Sequence, residues 1–438
     1  MSLINPIPDT NWLKNNKDNL RISDEAYLEL VQIYDLIDSI DWEYSRINDD
    51  ATLIDKINQF ATNRKKTTVS VVYIVKNEEN FILKSLASII DFADEIIIVD
   101  TGSTDGTLEC ITELSREKIF LYTFEWCDDF SKARNYANSH ASCDWILVLD
   151  ADEVVDDFKN LKLLLSYFKL FDSLSDTVFN FNIIRGSDYY KTGKLISNTG
   201  AFQYRGRVHE SFYSINNKDI YYANLKINVY GQKRENKEKA SYYNELLLKT
   251  MLDYPTDSRW CYYYFRDNYS QINLNQMFEY SCKSIFKKGN IVSENNFISN
   301  YFSVHIIMFI LSKMIDENNY ILFDCYLNLI EKKISGHSDF IFLKYAREFR
   351  LIQEDILNSM KSFLEEYNKC LFSENIFSPN CINSLLGYYL FLGGFFEESG
   401  LIFRELNLNV RDYPSFINEN LINYFQKIHD ESYSCNDF

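Results

Sequence analysis

Trp145-Ile-Leu-Val-Leu-Asp-Ala-Asp-Glu153 is five apolar residues followed by three carboxylates and an alanine. A short apolar run of this kind reads as a buried strand of a parallel sheet. An unpaired carboxylate cannot be buried inside such a strand, so the strand must reach its lip at Asp150. The pattern recurs upstream. Glu95-Ile-Ile-Ile-Val-Asp100 is a second apolar run closed by Asp, and Val69–Val75 and Ile119–Thr123 are two further strands. Between them lie helical stretches at Asn77–Asp91, Asp105–Leu114 and Phe130–Ala141. Such β-α alternation predicts an open parallel sheet with helices on both faces.

Open parallel sheets bind ligands at the carboxyl ends of their strands. Asp100-Thr-Gly-Ser-Thr-Asp-Gly-Thr107 follows one strand. Gly102 and Gly106 allow tight turns there, and Asp105 can cap the next helix. A capped turn accounts for Ser103, Thr104 and Asp105 but less well for Asp100, which can accept hydrogen bonds from a base or sugar. Asp150 and Asp152 stand one residue apart at the other strand end. They can present oxygens to one hard divalent cation that bridges a nucleoside diphosphate. Acidic triplets are common, so it is the placement beside Asp100 that gives this one meaning. Trp126-Cys-Asp-Asp-Phe-Ser-Lys-Ala-Arg-Asn135 puts Arg134 and Asn135 at the start of the helix leading into Asp150, where an arginine can meet base or phosphate oxygens. Arg205-Gly-Arg-Val-His-Glu210 offers a His-carboxylate neighbour pair, suited to a general base or an extra metal ligand. The other four histidines, His140, His305, His337 and His429, lack such company and read as structural.

The flanking sequence differs in character. Residues 1–65 read as an N-terminal helical segment, with one helix over Asp24–Ile47 and a second over Ala51–Phe60. A helix runs from Asp157 to about Leu170, and Thr177–Ile184 and Ala201–Tyr230 are rich in strand. The sheet domain spans 66–235. From 236 to 438 the chain reads as successive helices. Leu386–Phe403, with Gly394 between two apolar stretches, resembles a tetratricopeptide-like helix pair, and Tyr254–Phe286 resembles one more loosely. A plain helical bundle is the alternative.

The bulk numbers narrow the function. A formal charge of −18 argues against nucleic acid or an anionic membrane as partner. No apolar run is long enough to span a bilayer, and the opening Met1-Ser2-Leu3-Ile4-Asn5 lacks the regions of a signal peptide, so stable membrane insertion is not expected. Nine cysteines without a CxxC pair read as reduced thiols and point to the cytoplasm. No strand is followed by a GxxxxGK[ST] or GxGxxG loop, which removes the P-loop and dinucleotide-binding classes.

Taken in order, Ser70–Glu79, Asp100–Thr107, Phe130–Asn135, Asp150–Glu153 and Gly206–Glu210 resemble the inverting glycosyltransferases of family 2, which have the GT-A fold. The resemblance covers about 160 residues. Within that family the chain is most similar to the sublancin-type S-glycosyltransferases that modify glycocin bacteriocins. The resemblance implies transfer of a hexose, usually glucose from UDP-glucose, to a Cys or Ser side chain of a ribosomally made bacteriocin precursor. It also implies Mg2+ or Mn2+ and a homodimer formed through the helical parts. Carried over, Asp100 and Arg134 would bind the uracil with Glu78 nearby, and Val75, Asn77, Ser103 and Ala151 would line the same nucleotide-sugar site. Asp150 and Asp152 would hold ribose, diphosphate and metal. His209 and Glu210 would lie on the acceptor side, with the base one of Asp152, His209 or Glu210. Relatives often carry an Arg-rich stretch where this chain has Lys194-Leu-Ile-Ser197, and a His-x-Gly where it has Asn228-Val-Tyr-Gly231. A transferase acting on a cell-surface glycan or lipid-linked acceptor is the alternative enzyme. A catalytically dead scaffold would not keep Asp100, Arg134, Asp150 and Asp152 together, because an unpaired acidic cluster repels itself.

Overall fold

A computed structural model describes residues 10–40, 49–62, 66–114, 117–171, 177–216, 219–232, 237–287, 293–369 and 379–405. The chain divides into two compact units, Met1–Tyr264 and Phe265–Phe438.

In the first unit the elements run α1 (Thr10–Asn15), α2 (Asp24–Asp35), β1 (Ile37–Ile40), α3 (Asp50–Thr62), β2 (Val69–Val75), α4 (Ile82–Ile89), β3 (Glu95–Asp100), α5 (Thr107–Glu113), β4 (Ile119–Thr123), α6 (Phe130–Ser139), β5 (Trp145–Asp150), β6 (Val154–Val155), α7 (Leu161–Phe168), β7 (Thr177–Arg185), β8 (Asp188–Ser197), β9 (Phe202–Arg205), β10 (Ser211–Ser214), β11 (Tyr221–Tyr230), α8 (Lys237–Asp253) and α9 (Ser258–Asn268), whose last residues pass into the second unit. The main sheet has the order β1-β11-β7-β8-β5-β2-β3-β4. The four strands read from the sequence, β5, β2, β3 and β4, are parallel neighbours. The sheet as a whole is mixed, not purely parallel. β8 lies antiparallel between β5 and β7, and β7 runs parallel to β11.

Alternation along the strands sends side chains to two cores. Val71, Tyr73, Ile96, Ile98, Leu147 and Leu149 face one cluster, with Leu86 of α4 and Leu164 of α7. Val72, Ile97, Val99, Ile146 and Val148 face the other, with Ala137 of α6 and with Tyr204 and Phe212 of the β9–β10 hairpin. This period of two is what a strand buried on both faces requires.

The N-terminal segment departs from its expected form. The helix ends at Asp35, and Ile37–Ile40 is a strand that pairs antiparallel with β11. Residues 41–47 of the expected helix lie outside the described residues. Helical spacing of Leu36, Ile37 and Ile40 was compatible with either state, and the open edge of β11 selects the strand. The segment is not an appendage. Leu30, Ile33, Leu53, Ile57 and Phe60 join the same core as β2 and β5, and the Tyr34 hydroxyl donates to the Tyr167 hydroxyl at 2.9 Å inside it.

The sequence changes character near Lys237, yet the first compact unit runs on to Tyr264. Leu246, Leu247 and Met251 of α8 and Trp260 of α9 are buried, and the Trp260 indole N–H donates to the Val208 carbonyl at 3.1 Å. Those contacts bind the first helices after the sheet to the loop that carries His209 and Glu210.

The second unit is helical among its described residues: α10 (Leu274–Ile285), α11 (Tyr301–Asp316), α12 (Tyr320–Ile334), α13 (Ser338–Asn368), α14 (Pro379–Leu392) and α15 (Phe396–Glu405). α14 and α15 form the close pair read from Leu386–Phe403. A Cβ on Gly387 would lie 2.8 Å from the Phe403 ring, and Gly394 turns the chain at φ +91°. At 31 residues, α13 is about twice the length of the helices in a tetratricopeptide pair, so no regular repeat runs through the described residues of this unit.

Leu30→Ala should lower the stability of the whole first unit by about 2–5 kcal/mol, the usual cost of emptying a buried leucine site. Denaturant unfolding followed by tryptophan emission and by far-UV signal should shift together. A separate early transition confined to the N-terminal helices would show that the segment is not part of the core.

Candidate active site

Asp100 and Asp150 end adjacent parallel ladders on either side of β2, so both reach the same edge of the sheet. Asp100 is buried. Its carboxylate accepts the Gly102 N–H at 3.0 Å and the Ser103 N–H at 3.1 Å. The turn therefore explains Asp100 better than its sequence context suggested. Gly102 takes φ +101°, where a Cβ would be strained.

The loop after β2 is tied to this turn. Asn77, with φ +56°, donates its backbone N–H to Ser103 Oγ at 3.0 Å and accepts the Thr104 N–H at 2.8 Å. The Glu78 N–H donates to Thr107 Oγ1 at 2.7 Å, and the Gly106 N–H donates to Glu79 Oε2 at 2.7 Å. Val75 is buried, and its carbonyl accepts the Thr101 N–H at 2.9 Å. Val75, Asn77, Glu78, Asp100 and Ser103 thus form one hydrogen-bonded lip.

The second half of the site is a charge network. Arg134 of α6 donates from Nη2 to Asp150 Oδ1 at 2.7 Å and from Nε to Glu210 Oε1 at 2.6 Å. Its Nη1 is buried with no hydrogen-bond partner. Asn135 holds the hairpin in place by accepting the Tyr204 N–H at 2.7 Å and donating to the Tyr204 carbonyl at 2.9 Å. Asp129 caps α6 by accepting the Lys132 N–H, and the Phe130 N–H donates to the Arg207 carbonyl at 3.0 Å. The loop that delivers Glu210 is in this way docked on the helix that delivers Arg134.

Sequence reasoning did not assign two further cations a role here. Lys194 of β8 donates to Glu153 Oε2 at 2.6 Å and lies 3.8 Å from Asp150 Oδ2. Arg185, at the end of β7, lies 3.4 Å from Asp150, 3.8 Å from Asp152 and 3.3 Å from Glu153. Neither belongs to a local motif, and only the pairing of β7 and β8 beside β5 brings them in. The one available signal was an arginine closing an apolar strand. Ala151 is buried between its two carboxylate neighbours.

Electrostatics follow from this crowding. Burial alone would raise the Asp150 carboxyl, but Lys194, Arg134 and Arg185 overcome it and hold the group far below the usual carboxylate range. For Glu153 burial wins, and its carboxyl is raised despite Lys194. Burial disfavours the Lys194 charge, yet Asp150 and Glu153 raise its pKa. Tyr243 of α8 is pushed up to about 12 by burial and by the Glu210 and Asp150 charges.

His209 takes φ +50°, and its ring stacks on Tyr263 with centroids 4.3 Å apart. Gly206 just before it takes φ +101°, and a Cβ there would lie 2.6 Å from the Trp260 indole. A cavity of ≈ 440 Å³ lined by Thr68, Asp144, Lys169 and Asn198 lies at the amino ends of β2 and β5, away from this edge.

The donor set suits a divalent cation. Asp150 Oδ2 lies 3.4 Å from Arg185 Nη2 and Asp152 Oδ2 lies 3.8 Å from Nη1, so both carboxylates border one guanidinium. No group of three or more His, Cys, Asp or Glu gathers for a metal among the described residues. Two carboxylates completed by phosphate oxygens and water is a usual arrangement for Mg2+.

Residues 70–214, which carry this sheet edge, match the model described as Glycosyl transferase family 2, so this domain belongs to that family. The protein is a glycosyltransferase related to the SPbeta prophage-derived glycosyltransferase SunS of Bacillus subtilis (strain 168). The two are 25% identical over 331 residues, 72% of this chain and 73% of SunS. An 85-residue stretch is 49% identical to a TPR repeat-containing protein of Synechococcus elongatus, covering 19% of this chain and 20% of that protein. Among solved structures, S. aureus TarS 1-349 in complex with UDP-GlcNAc aligns with 61% of this chain and 92% of its own, at TM-score 0.36 and 14% identity. Among the described residues no helix is long and apolar enough to cross a membrane.

Gly206→Ala should destabilise the first unit by about 1–3 kcal/mol, because it adds an atom against a packed indole and strains the backbone. Urea unfolding measures it. An unchanged midpoint would show that the loop bearing His209 does not rest on Trp260.

Proposed function

We propose that this glycosyltransferase moves a hexose from a UDP-sugar, with inversion, to a Cys or Ser side chain of a small bacteriocin-like precursor peptide. The observation that carries the reading is that Asp150 and Asp152 border one guanidinium at the sheet edge that also carries Asp100. The relationship to SunS over most of both chains favours a peptide acceptor of the glycocin type. On this reading the enzyme works in the cytoplasm as a homodimer, and helices after residue 236 serve acceptor binding.

Each residue then has a task. The lip from Val75 to Ser103, with Asp100 and Glu78, receives the uracil and ribose, and Ala151 keeps the backbone low beneath them. Asp150 and Asp152 hold Mg2+ or Mn2+, which when bound offsets the charge of the departing diphosphate. Arg134 acts through its fork: it fixes Asp150 and Glu210. Glu210, whose carboxylate is committed to Arg134 at 2.6 Å, is a positioning residue. With Asp152 on the cation, His209 is the acceptor-side group left to take the proton. Its left-handed backbone is the strained conformation often kept at a working residue.

A thiol with an ordinary pKa near about 8.5 needs less help from a base than a hydroxyl does. His209→Ala should therefore slow transfer to a Ser acceptor far more than to a Cys acceptor, and equal slowing would remove His209 from proton transfer. Asp152→Asn should abolish transfer with nearly unchanged thermal stability, and full activity would remove the cation assignment. The deciding experiment is intact-mass spectrometry of a Cys-containing precursor peptide incubated with the enzyme, a panel of UDP-sugars and Mg2+ or Mn2+. A hexose-sized gain lost on changing the Cys supports the reading. No gain with any donor, while UDP-sugar still binds, moves the acceptor to a glycan or lipid-linked sugar.

A further inference from the structure

Arg185 occupies the position between Asp150 Oδ2 and Asp152 Oδ2 toward which a bridging cation would be drawn. It differs from the other two cations of the network. Lys194 is buried, the Arg134 side chain is only 12% exposed, and each makes a contact of 2.6 Å. Arg185 makes longer contacts, 3.3 to 3.8 Å, shared among three carboxylates and the Gln232 carbonyl, and its side chain is 26% exposed. Its Nε is buried with no hydrogen-bond partner. The side chain lies in a cradle over Gly231, where a Cβ would come within 2.8 Å of Nε and 3.1 Å of Cζ. The guanidinium is thus guided to this place but weakly held in it.

We propose that Arg185 is a built-in counter-cation for Asp150 and Asp152, one that yields the pair to a divalent cation only when a nucleoside diphosphate arrives. The inference rests on the donor reading above. While the guanidinium lies on the carboxylates, a divalent cation meets a like charge at contact distance and loses half its ligands' attraction. Without any cation, four carboxylates (Asp150, Asp152, Glu153 and Glu210) face three basic side chains. A guanidinium pairs well with phosphate oxygens, in a fork that can also use the idle Nε. A diphosphate gives Arg185 a better partner than two shared carboxylates, and the vacated oxygens become ligands. Cation and donor consequently bind as a linked pair, each raising the other's affinity by the same factor.

The test is Mn2+ binding to the full chain, by calorimetry and by the loss of the free-ion paramagnetic resonance signal, with and without UDP. In the unsubstituted protein Mn2+ alone should bind weakly, and UDP should strengthen it by at least about tenfold. Arg185→Gln should bind Mn2+ alone about tenfold more tightly than the unsubstituted protein and lose most of that dependence on UDP. Arg185→Lys, which keeps the charge, should retain the weak binding. Gly231→Ala should shift Mn2+ binding in the direction of Arg185→Gln with the arginine chemically intact, and it serves if the first variant folds poorly. Equal Mn2+ affinity of the unsubstituted and Arg185→Gln proteins without UDP overturns the proposal. So does UDP binding that is the same in Mn2+ and in chelator. Absence of UDP binding under every condition would instead sink the donor reading on which the proposal stands.

Discussion

The site depends on one largely enclosed side chain, the guanidinium of Arg134. It bonds Asp150 at 2.7 Å and Glu210 at 2.6 Å, and so joins the start of a helix, the end of a central strand and a loop 76 residues further along the chain. Removing the guanidinium would leave two carboxylates facing each other's charge without their shared partner. The fork therefore does more than bind. It sets the distance between Asp150 and the loop of His209 and Glu210, the proposed donor and acceptor sides.

The rest of the architecture holds that fork in place. Asn135 bonds both backbone groups of Tyr204, so α6 cannot shift relative to the β9–β10 hairpin. Trp260 closes over Gly206 and accepts the load of the loop from behind. On the other side of β2, hydrogen bonds from Asn77, Glu78 and Glu79 turn two loops into one lip. A rigid lip beside a rigid fork leaves Arg185 as the group of the network with long contacts and some exposure. Pre-organised charges of this kind suit a reaction in which a diphosphate leaves, since little must reorganise as its charge develops.

The turn at Asp100 gives its carboxylate a structural task that leaves room for the proposed ligand contact. Both carboxylate oxygens already accept backbone N–H groups. A carboxylate has further lone pairs, so a base can still be met there, but the turn alone is reason enough for an aspartate. Asn77 is similar: its side chain stitches the loops, and its left-handed backbone is the cost of doing so.

Much of this was legible in the chain itself. Apolar runs of strand length, each closed by an aspartate, specify β3 and β5 and put Asp100 and Asp150 at one lip, because burial on both faces demands continuous hydrophobicity and forbids a charge until the end. The ordered motifs from Ser70 to Glu210 likewise announced the family. What lay beyond the sequence were the long-range pairings. Local periodicity could not turn Ile37–Ile40 into a strand, since only the open edge of β11 does that. Nor could it insert β8 antiparallel beside β5 and thereby deliver Lys194 and, from β7, Arg185 to the carboxylates. Local sequence encodes which residues can end a strand, whereas the neighbours of that end are chosen by the sheet as a whole.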